Sequence, residues 1–322
     1  MDITSAQTPA FRVGFVLLDG FALMSYASAM EPLRAANLIA GRTIYDIRHM
    51  PVVGARSSSS SGAIVGANTY LGENVDFDLV LVVAGSGPQP DQVRRLEHWL
   101  RLLASRNVLL GGVSAGPLIL ARAGVMEGRR MTVHWDHADV LVSVSPNLIV
   151  ERSLFVRDRG RLTCAGGTAA MDMMHALIAE QHGGRFAQSV SDWFLHTDVR
   201  AGENPQVAGL AERYGVSDIG VLRALKVMEN HMSDPLTLAQ ISDIVGVSVR
   251  QINRLFRQHL AASTQEFYAR LRLEKAQSLL RGSLLSITDI AQATGFANGA
   301  HFSRQFSREF GESPSRYRAQ SL

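Results

Sequence analysis

Two stretches of this chain repeat one another, and the repeat constrains the fold of the last third more than any other feature. Residues 241–256 read ISDIVGVSVRQINRLF, and residues 290–306 read IAQATGFANGAHFSRQF. Gly246 aligns with Gly295 at an offset of 49, while Ile252, Arg254 and Phe256 align with Phe302, Arg304 and Phe306 at an offset of 50. The second copy therefore carries one more residue in its turn. A small residue, Ser242 or Ala291, stands four before each glycine, where one helix must admit another closely. The glycine permits the left-handed backbone of a tight turn. The next residue, Val247 or Phe296, is apolar and plugs the corner.

Each copy thus has the layout of a helix-turn-helix. Its second helix buries Ile252 and Phe256, or Phe302 and Phe306. The opposite face presents Arg250, Gln251, Asn253 and Arg254 in the first copy, and Asn298, Ala300, His301, Ser303 and Arg304 in the second. Such side chains hydrogen-bond base edges and phosphates. A plain helical bundle with polar outer faces would share the pattern of a single copy, but not the same small, glycine and apolar positions twice. Between the copies, residues 264–281 (TQEFYARLRLEKAQSLLR) predict a long amphipathic helix. It would set the two reading helices about one DNA turn apart, ~34 Å, if both enter the major groove.

Charge follows the repeat. The net charge is only +3, with 32 Lys+Arg against 29 Asp+Glu. Residues 210–322 hold 14 Lys+Arg and 10 Asp+Glu, a net of +4, and the remainder holds 18 and 19, a net of −1. Almost every cation is arginine, the exceptions being Lys226 and Lys275. Guanidinium suits bidentate contacts to phosphate and guanine.

The front of the chain follows a different rule. Apolar strand runs at 11–18, 78–84 and 108–113 alternate with helical patterns at 21–40 and 91–104. The runs at 148–155 and 161–165 predict a strand pair around a turn at 157–160. Gly166-Gly167-Thr168 opens another helix through residue 180. The serine run 57–61 predicts a loop. Strands separated by helices predict a mostly parallel, flavodoxin-like sheet with helices on both faces, and the tail predicts an all-α domain with two helix-turn-helix units. The expected boundaries are 10–190 for the first domain, 191–215 for a linker and 216–322 for the second, with helix-turn-helix units at 237–260 and 287–310.

No basic, apolar leader opens the chain, no run of about 18 apolar residues exists, and one cysteine, Cys164, excludes an internal disulfide. These features predict a cytoplasmic protein that does not enter a membrane. No cofactor or metal site is expected, since His134 and His137 lack a third convincing ligand.

One motif in the first domain speaks of chemistry. Gly112-Val113-Ser114-Ala115-Gly116 is G-x-S-x-G at a strand-to-helix junction, the context of a nucleophile elbow. A serine hydrolase or amidase using Ser114 is therefore one reading, with His134, Asp136 and His137, or Asp172 and His175, as its possible partners. Pro117 after the elbow, and the lack of an acid-then-histidine order at familiar spacing, weigh against it.

Residues 210–322 resemble the AraC/XylS family of transcription factors, down to the closing FGESPSRYR. Residues 11–185 resemble the class I glutamine amidotransferase-like superfamily, in the branch fused to AraC-type domains. The likeness rests on FVLLDGFALMSYASAMEPLRAAN, the elbow, ARAGVMEGRRMTVHW and LTCAGGTAAMDMMHALI. The resemblance implies a non-enzymatic regulator, an activator of catabolic genes, that binds double-stranded promoter DNA as a homodimer and meets RNA polymerase. Enzymes of that superfamily carry cysteine at the elbow. Ser114 here is a weaker nucleophile, and Cys164 on a strand reads as a small core residue. The implied role of the first domain is a sensor for a small nitrogenous effector, an amino acid such as arginine or a betaine- or carnitine-type amine. Its pocket is expected at Ser25, Gly85, Ser86, Ser114, Ala115, His134 and Trp135, with Glu31 a further candidate for a cationic group. Trp135 would stack against a quaternary amine, and the helix start behind Ser114 would favour a carboxylate.

Overall fold

The structure, a computed structural model, describes residues 9–73, 76–85, 90–145, 147–207, 209–283 and 285–321. The chain divides into two compact units at Gln206/Val207.

The first unit runs β1 (Phe11–Leu17), α1 (Leu23–Ala40), β2 (Tyr45–Pro51), β3 (Arg56–Ser58), β4 (Ile64–Gly66), β5 (Leu79–Ala84), α2 (Pro90–Ser105), β6 (Leu109–Ser114) and α3 (Gly116–Arg122). It continues through β7 (Arg130–Met131), a 3-10 turn at Trp135–His137, α4 (Ala138–Val144), β8 (Ile149–Val150), β9 (Phe155–Asp158), β10 (Arg161–Cys164), α5 (Ala169–His182) and α6 (Gly184–Trp193). The main sheet has the order β2-β1-β5-β6-β10-β9. All neighbours are parallel except the β10–β9 edge hairpin. This is a doubly wound, flavodoxin-like sheet with an antiparallel edge strand. The chain switches direction between β1 and β5, where such sheets open a crevice at the strand carboxyl ends. The central strands are apolar on both faces because both are covered. Val80, Val82 and Leu110 pack with Leu96, Leu100 and Ile119 on one side. Phe15, Leu81 and Val83 pack with Leu33, Met173 and Leu177 on the other.

Three local expectations change. The run 148–155 is not one strand: Ile149–Val150 pairs with β7 in a separate ribbon, and the edge strand begins at Phe155. The hairpin turn sits on Arg159 and Gly160, both with positive φ, which suits the right-handed twist of the two strands. Part of the serine run is strand, since Ser57 and Ser58 pair with Val65 and Ile64. Residues 195–206, inside the expected linker, are fastened to the first unit: Leu154 N–H reaches Gly202 O at 2.8 Å, and Ser153 bridges to Pro205.

The second unit is helical: α7 (Leu210–Tyr214), α8 (Ile219–Asn230), α9 (Leu238–Val245), α10 (Val249–Leu260), α11 (Thr264–Gly282), α12 (Ile287–Ala293), α13 (Gly299–Phe310) and α14 (Pro314–Ser321). It holds two cores. Ile241, Ile252, Phe256 and Phe267 centre one, and Leu280, Ile290, Phe302 and Phe306 centre the other. The long α11 contributes to both, as its two-sided apolar pattern requires. No helix of the described residues is long and apolar enough to cross a membrane.

Candidate nucleic-acid interface and elbow site

The repeat is realised as two turns closed in the same way. Gly246 and Gly295 take φ of 79° and 70°. Val247 N–H bonds to Ser242 O at 3.1 Å, and Phe296 N–H to Ala291 O at 2.8 Å, the same five-residue closure in both copies. Ser248 caps α10 by accepting from Gln251 N–H, and Asn298 caps α13 by accepting from His301 N–H. The extra residue of the second turn thus separates glycine from cap.

On α10 the exposed face carries Arg250, Gln251, Arg254 and Arg257, with Asn253 half-buried. Arg250, Asn253, Arg254 and Arg257 line a cleft of about 580 Å³ with Ser263 and Gln265 at the start of α11. None of these three guanidiniums makes an ion pair among the described residues, whereas Arg213 pairs with Glu229 and Arg316 with Glu312 elsewhere in the unit. Arginines without an ion pair among the described residues thus converge on a cleft beside α10, an electropositive lining of the kind that suits phosphate and base edges. Sequence reasoning missed Arg257 and Gln265. Arg257 was legible as one more turn along the Arg250–Arg254 stripe, but Gln265 arrives only through folding of α11.

On α13 the exposed positions are Ala300, Arg304, Arg308 and Glu309, with His301 and Ser303 half-buried. His301 leans on the Phe296 ring, 5.9 Å between centroids. Two expected base readers have other work. Asn253 Oδ1 accepts from Thr264 N–H at 3.1 Å and so helps start α11. Asn298 Oδ1 accepts from His301 N–H at 2.8 Å. Reading adenine bidentately needs both halves of an amide, and in this state each Oδ1 already accepts one backbone N–H and has one lone pair left.

In the first unit, G-x-S-x-G makes a true elbow. Ser114 has φ of 62°, a left-handed conformation that non-glycine residues hold at a cost of about 1–3 kcal/mol. The flanking glycines are required by space: a Cβ at Gly112 would lie 2.5 Å from Pro117 N, and one at Gly116 only 2.0 Å from Val82 O. Pro117 occupies the first turn of α3, where a missing N–H leaves nothing unpaired, and so is compatible with the elbow.

Folding brings Ser25 and the glycine pair to Ser114. Ser25 Oγ accepts from Gly167 N–H at 2.7 Å, and a Cβ on Gly166 would stand 2.6 Å from Ser25 Oγ and 2.8 Å from Ser114 Cβ. Gly85 presses on the turn after β1, where its Cβ would meet Gly20 O at 2.1 Å. Ala115 is fully buried, and its N–H points to Ala84 O at 3.3 Å. His134 N–H bonds to Ser114 O at 3.3 Å, and the His134 ring lies 5.2 Å from that of Trp135. Trp135 is 46% exposed, which removes core packing as its role. Ser86 lies outside the described residues. Glu31 forms an ion pair with Arg34 one turn along α1.

Most of the catalytic candidates have other partners, whereas His137 Nδ1 is buried without one among the described residues. No side chain hydrogen-bonds to Ser114 Oγ among the described residues. His134 Nδ1 accepts from Asp136 N–H at 3.3 Å, and burial holds its pKa below the ordinary histidine value. Asp172 is fully buried and engaged by His196 and Arg200, while His175 bonds Ser191 at 2.8 Å. Cys164 is fully buried, and desolvation pushes its thiol up to about 12. The Ser25 and Ser114 hydroxyls are neutral donors at the elbow, and the neutral His134 ring, whose backbone N–H bonds to Ser114 O, carries its proton on Nε2 when Nδ1 accepts.

Comparison with known proteins bears on both sites. Residues 11–180 match the DJ-1/PfpI family, and residues 241–320 match a helix-turn-helix domain. The chain is 43% identical to the HTH-type transcriptional regulator GlxA of Rhizobium meliloti, covering 96% of each chain. It is 39% identical to the HTH-type transcriptional regulator CdhR of Pseudomonas aeruginosa, covering 95% of this chain and 90% of the relative. Among solved structures, an AraC family transcriptional regulator from Pseudomonas putida superposes with a TM-score of 0.53 at 28% identity, covering 57% of this chain and 99% of that one.

Proposed function

The chain belongs to the DJ-1/PfpI family and, through its second unit, to the AraC-type helix-turn-helix transcriptional regulators; from this premise we propose that it is an effector-controlled activator of catabolic genes. The observation that carries the reading is the pairing of two intact helix-turn-helix units with a stretch of unpaired arginines along α10. In this reading Arg250, Gln251, Asn253 and Arg254, with Asn298, Ala300, His301, Ser303 and Arg304, face double-stranded promoter DNA. The first copy carries more of the affinity, because Ala300 replaces a reaching side chain in the second. A homodimer would pair half-sites, and RNA polymerase is the expected protein partner.

The first unit is the sensor in this proposal, not an enzyme. Its effector sits at the carboxyl ends of the strands against Ser25, Gly85, Ser86, Ser114, Ala115, His134 and Trp135. Support comes from the neutral donors gathered there, which suit a carboxylate, and from the half-exposed Trp135 ring, which suits a cationic amine head. An amino acid such as arginine, or a betaine- or carnitine-type zwitterion, has both ends.

The strained elbow keeps one alternative in view, a hydrolase or amidase using Ser114. Nothing bonded to Ser114 Oγ among the described residues would activate it, which favours the sensor. The deciding experiment selects duplex DNA on the full chain from a random pool, then measures Kd for the parent and Arg254→Ala. Enrichment of a defined site that Arg254→Ala binds weakly is expected. A pool that never converges would overturn the regulator reading. A thermal-shift screen of amino acids, betaines and polyamines tests the sensor, since an effector at 100-fold its Kd stabilises its unit by about 2.7 kcal/mol.

A further inference from the structure

The segment between the last helix of the first unit and the unit boundary is a strap with two fastenings. The upstream one is ionic. Arg200 donates from Nε and Nη2 to Asp172 Oδ2 at 3.0 and 2.6 Å, and its backbone N–H donates to Asp172 Oδ1 at 3.0 Å. His196 joins the same carboxylate at 2.8 Å. Beyond Arg200 the strap lies along residues 153–155, with Leu154 N–H shared between Gly202 O at 2.8 Å and Asn204 O at 3.1 Å. Gly202 passes so close that a Cβ there would stand 2.8 Å from Phe155 O.

The downstream fastening is Gln206, the last residue of the first unit. Its Nε2 donates toward Thr132 Oγ1, Val133 O and Ser153 O, each at 2.9 Å. Thr132 is itself fixed, since its N–H bonds to Thr163 Oγ1 at 2.9 Å and its hydroxyl to Ser153 O at 2.8 Å. The next residue along this path, His134, bonds through its N–H to Ser114 O. Only residues 132–134 separate the strained elbow from the amide that ends the unit. Gln206 Oε1 and Ser153 Oγ are buried without a partner among the described residues, which weakens the fastened state by the desolvation of both atoms.

We infer that Gln206 is the release catch of a tether, and that its fastening is coupled to the elbow through residues 132–134. Opening frees residues 201–206 downstream of the Arg200 anchor and adds about 20 Å of reach to the chain entering the DNA-binding unit. Tether length sets the effective concentration of one module for another, so an effector that displaces Ser114 or His134 acts on DNA binding without touching the second unit. This purpose rests on the regulator reading above; the coupling itself does not.

The test is therefore run on the full chain with neither DNA nor effector. Amide hydrogen exchange at Leu154, whose N–H bonds only to the strap, reports opening, and cleavage after Glu203 by a glutamate-specific protease reports it independently. Gln206→Leu keeps the volume and removes the donor, and Gln206→Met serves as a second variant. Either is expected to speed Leu154 exchange and cleavage after Glu203 by about tenfold while amides of α10 stay unchanged. Ser114→Gly relieves the positive φ without adding bulk and should change Leu154 exchange by about threefold or more, with a non-additive effect in the Ser114→Gly/Gln206→Leu double variant. Unchanged exchange in both Gln206 variants overturns the catch. An additive double variant, or a silent Ser114→Gly, overturns the coupling. Either failure leaves the DNA-binding result standing, and failure of DNA selection leaves the coupling standing.

Discussion

Gly166 sits against Ser114 so closely that a Cβ built on it would lie 2.8 Å from the serine Cβ, and Gly166 itself has φ of 91°. The elbow is thus shaped by a loop that follows a different strand. Gly166→Ala meets both a forbidden backbone region and a collision. It should destabilise the first unit by more than about 1 kcal/mol and displace Ser25 and Ser114 together. Urea unfolding of the variant checks this; an unchanged midpoint would show that the loop relaxes freely.

Arg254 and Arg304 occupy matching exposed positions on the two reading helices. Arg254→Ala is expected to weaken binding to the selected duplex by about 1–3 kcal/mol if it reaches a base, or to lower the salt slope by about one if it reaches phosphate. Folding stability should change by less than about 0.5 kcal/mol. Arg304→Ala should act in the same direction and less strongly. Equal, full-strength binding by both variants would remove these helices from the interface.

Arg272 joins α11 to the second turn. Its Nη1 donates to Gly295 O at 2.9 Å, and its guanidinium lies 4.5 Å from the Phe296 ring centre. Arg272→Ala should destabilise the second unit by about 2 kcal/mol, combining a charge-assisted hydrogen bond and a cation–π contact. Arg272→Lys should not restore it, because an ammonium lacks the flat face. Denaturant curves followed by far-UV circular dichroism separate the three proteins.

Burial lowers the pKa values of His49, His134 and His137 in the folded first unit below the ordinary 6.5. Below about pH 6.5 the unfolded chain takes up protons that the folded one resists, so stability falls with acidification through that window. Above it both states are neutral at these sites and the contribution is complete. The urea midpoint of the first unit should be lower at pH 5.5 than at pH 7.5; the opposite order would mean that these histidines gain partners on protonation.

Ser114 and Cys164 should both be chemically quiet. A fluorophosphonate probe is expected to leave Ser114 unlabelled, since no described side chain withdraws its proton. Cys164, fully buried with its thiol pushed up to about 12, should react with iodoacetamide only after denaturation. Labelling of Ser114 in the native chain would favour the hydrolase reading.

Much of the architecture was written in local pattern. The helix-turn-helix pair followed from spacing alone, because a 3.6-residue apolar period, a left-handed glycine and a side-chain cap all act within about a dozen residues. The buried strands at 79–84 and 109–114 were legible because both faces of a doubly wound sheet are covered. The β2 strand was not read, since YDIRHMP alternates weakly and owes its place to pairing with β1 along its whole length. The run 148–155 misled because it is apolar enough for a strand, while Ser153 is claimed by Pro205 from the strap.

Local pattern was enough to establish two copies of a helix-turn-helix unit in the last third and an elbow on a parallel sheet in the first domain. It took the folded chain to show that Ser25 and Gly166 meet at Ser114, that Asn253 and Asn298 spend a carbonyl lone pair on helix starts, and that residues 196–206 are fastened rather than free. The reason is one of range. Periodicity and turn preference are properties of neighbours along the chain. Which partner satisfies a hydrogen-bonding group is settled by residues such as Ser25 and Gly167, or Gln206 and Thr132, that only folding brings within 3 Å of each other.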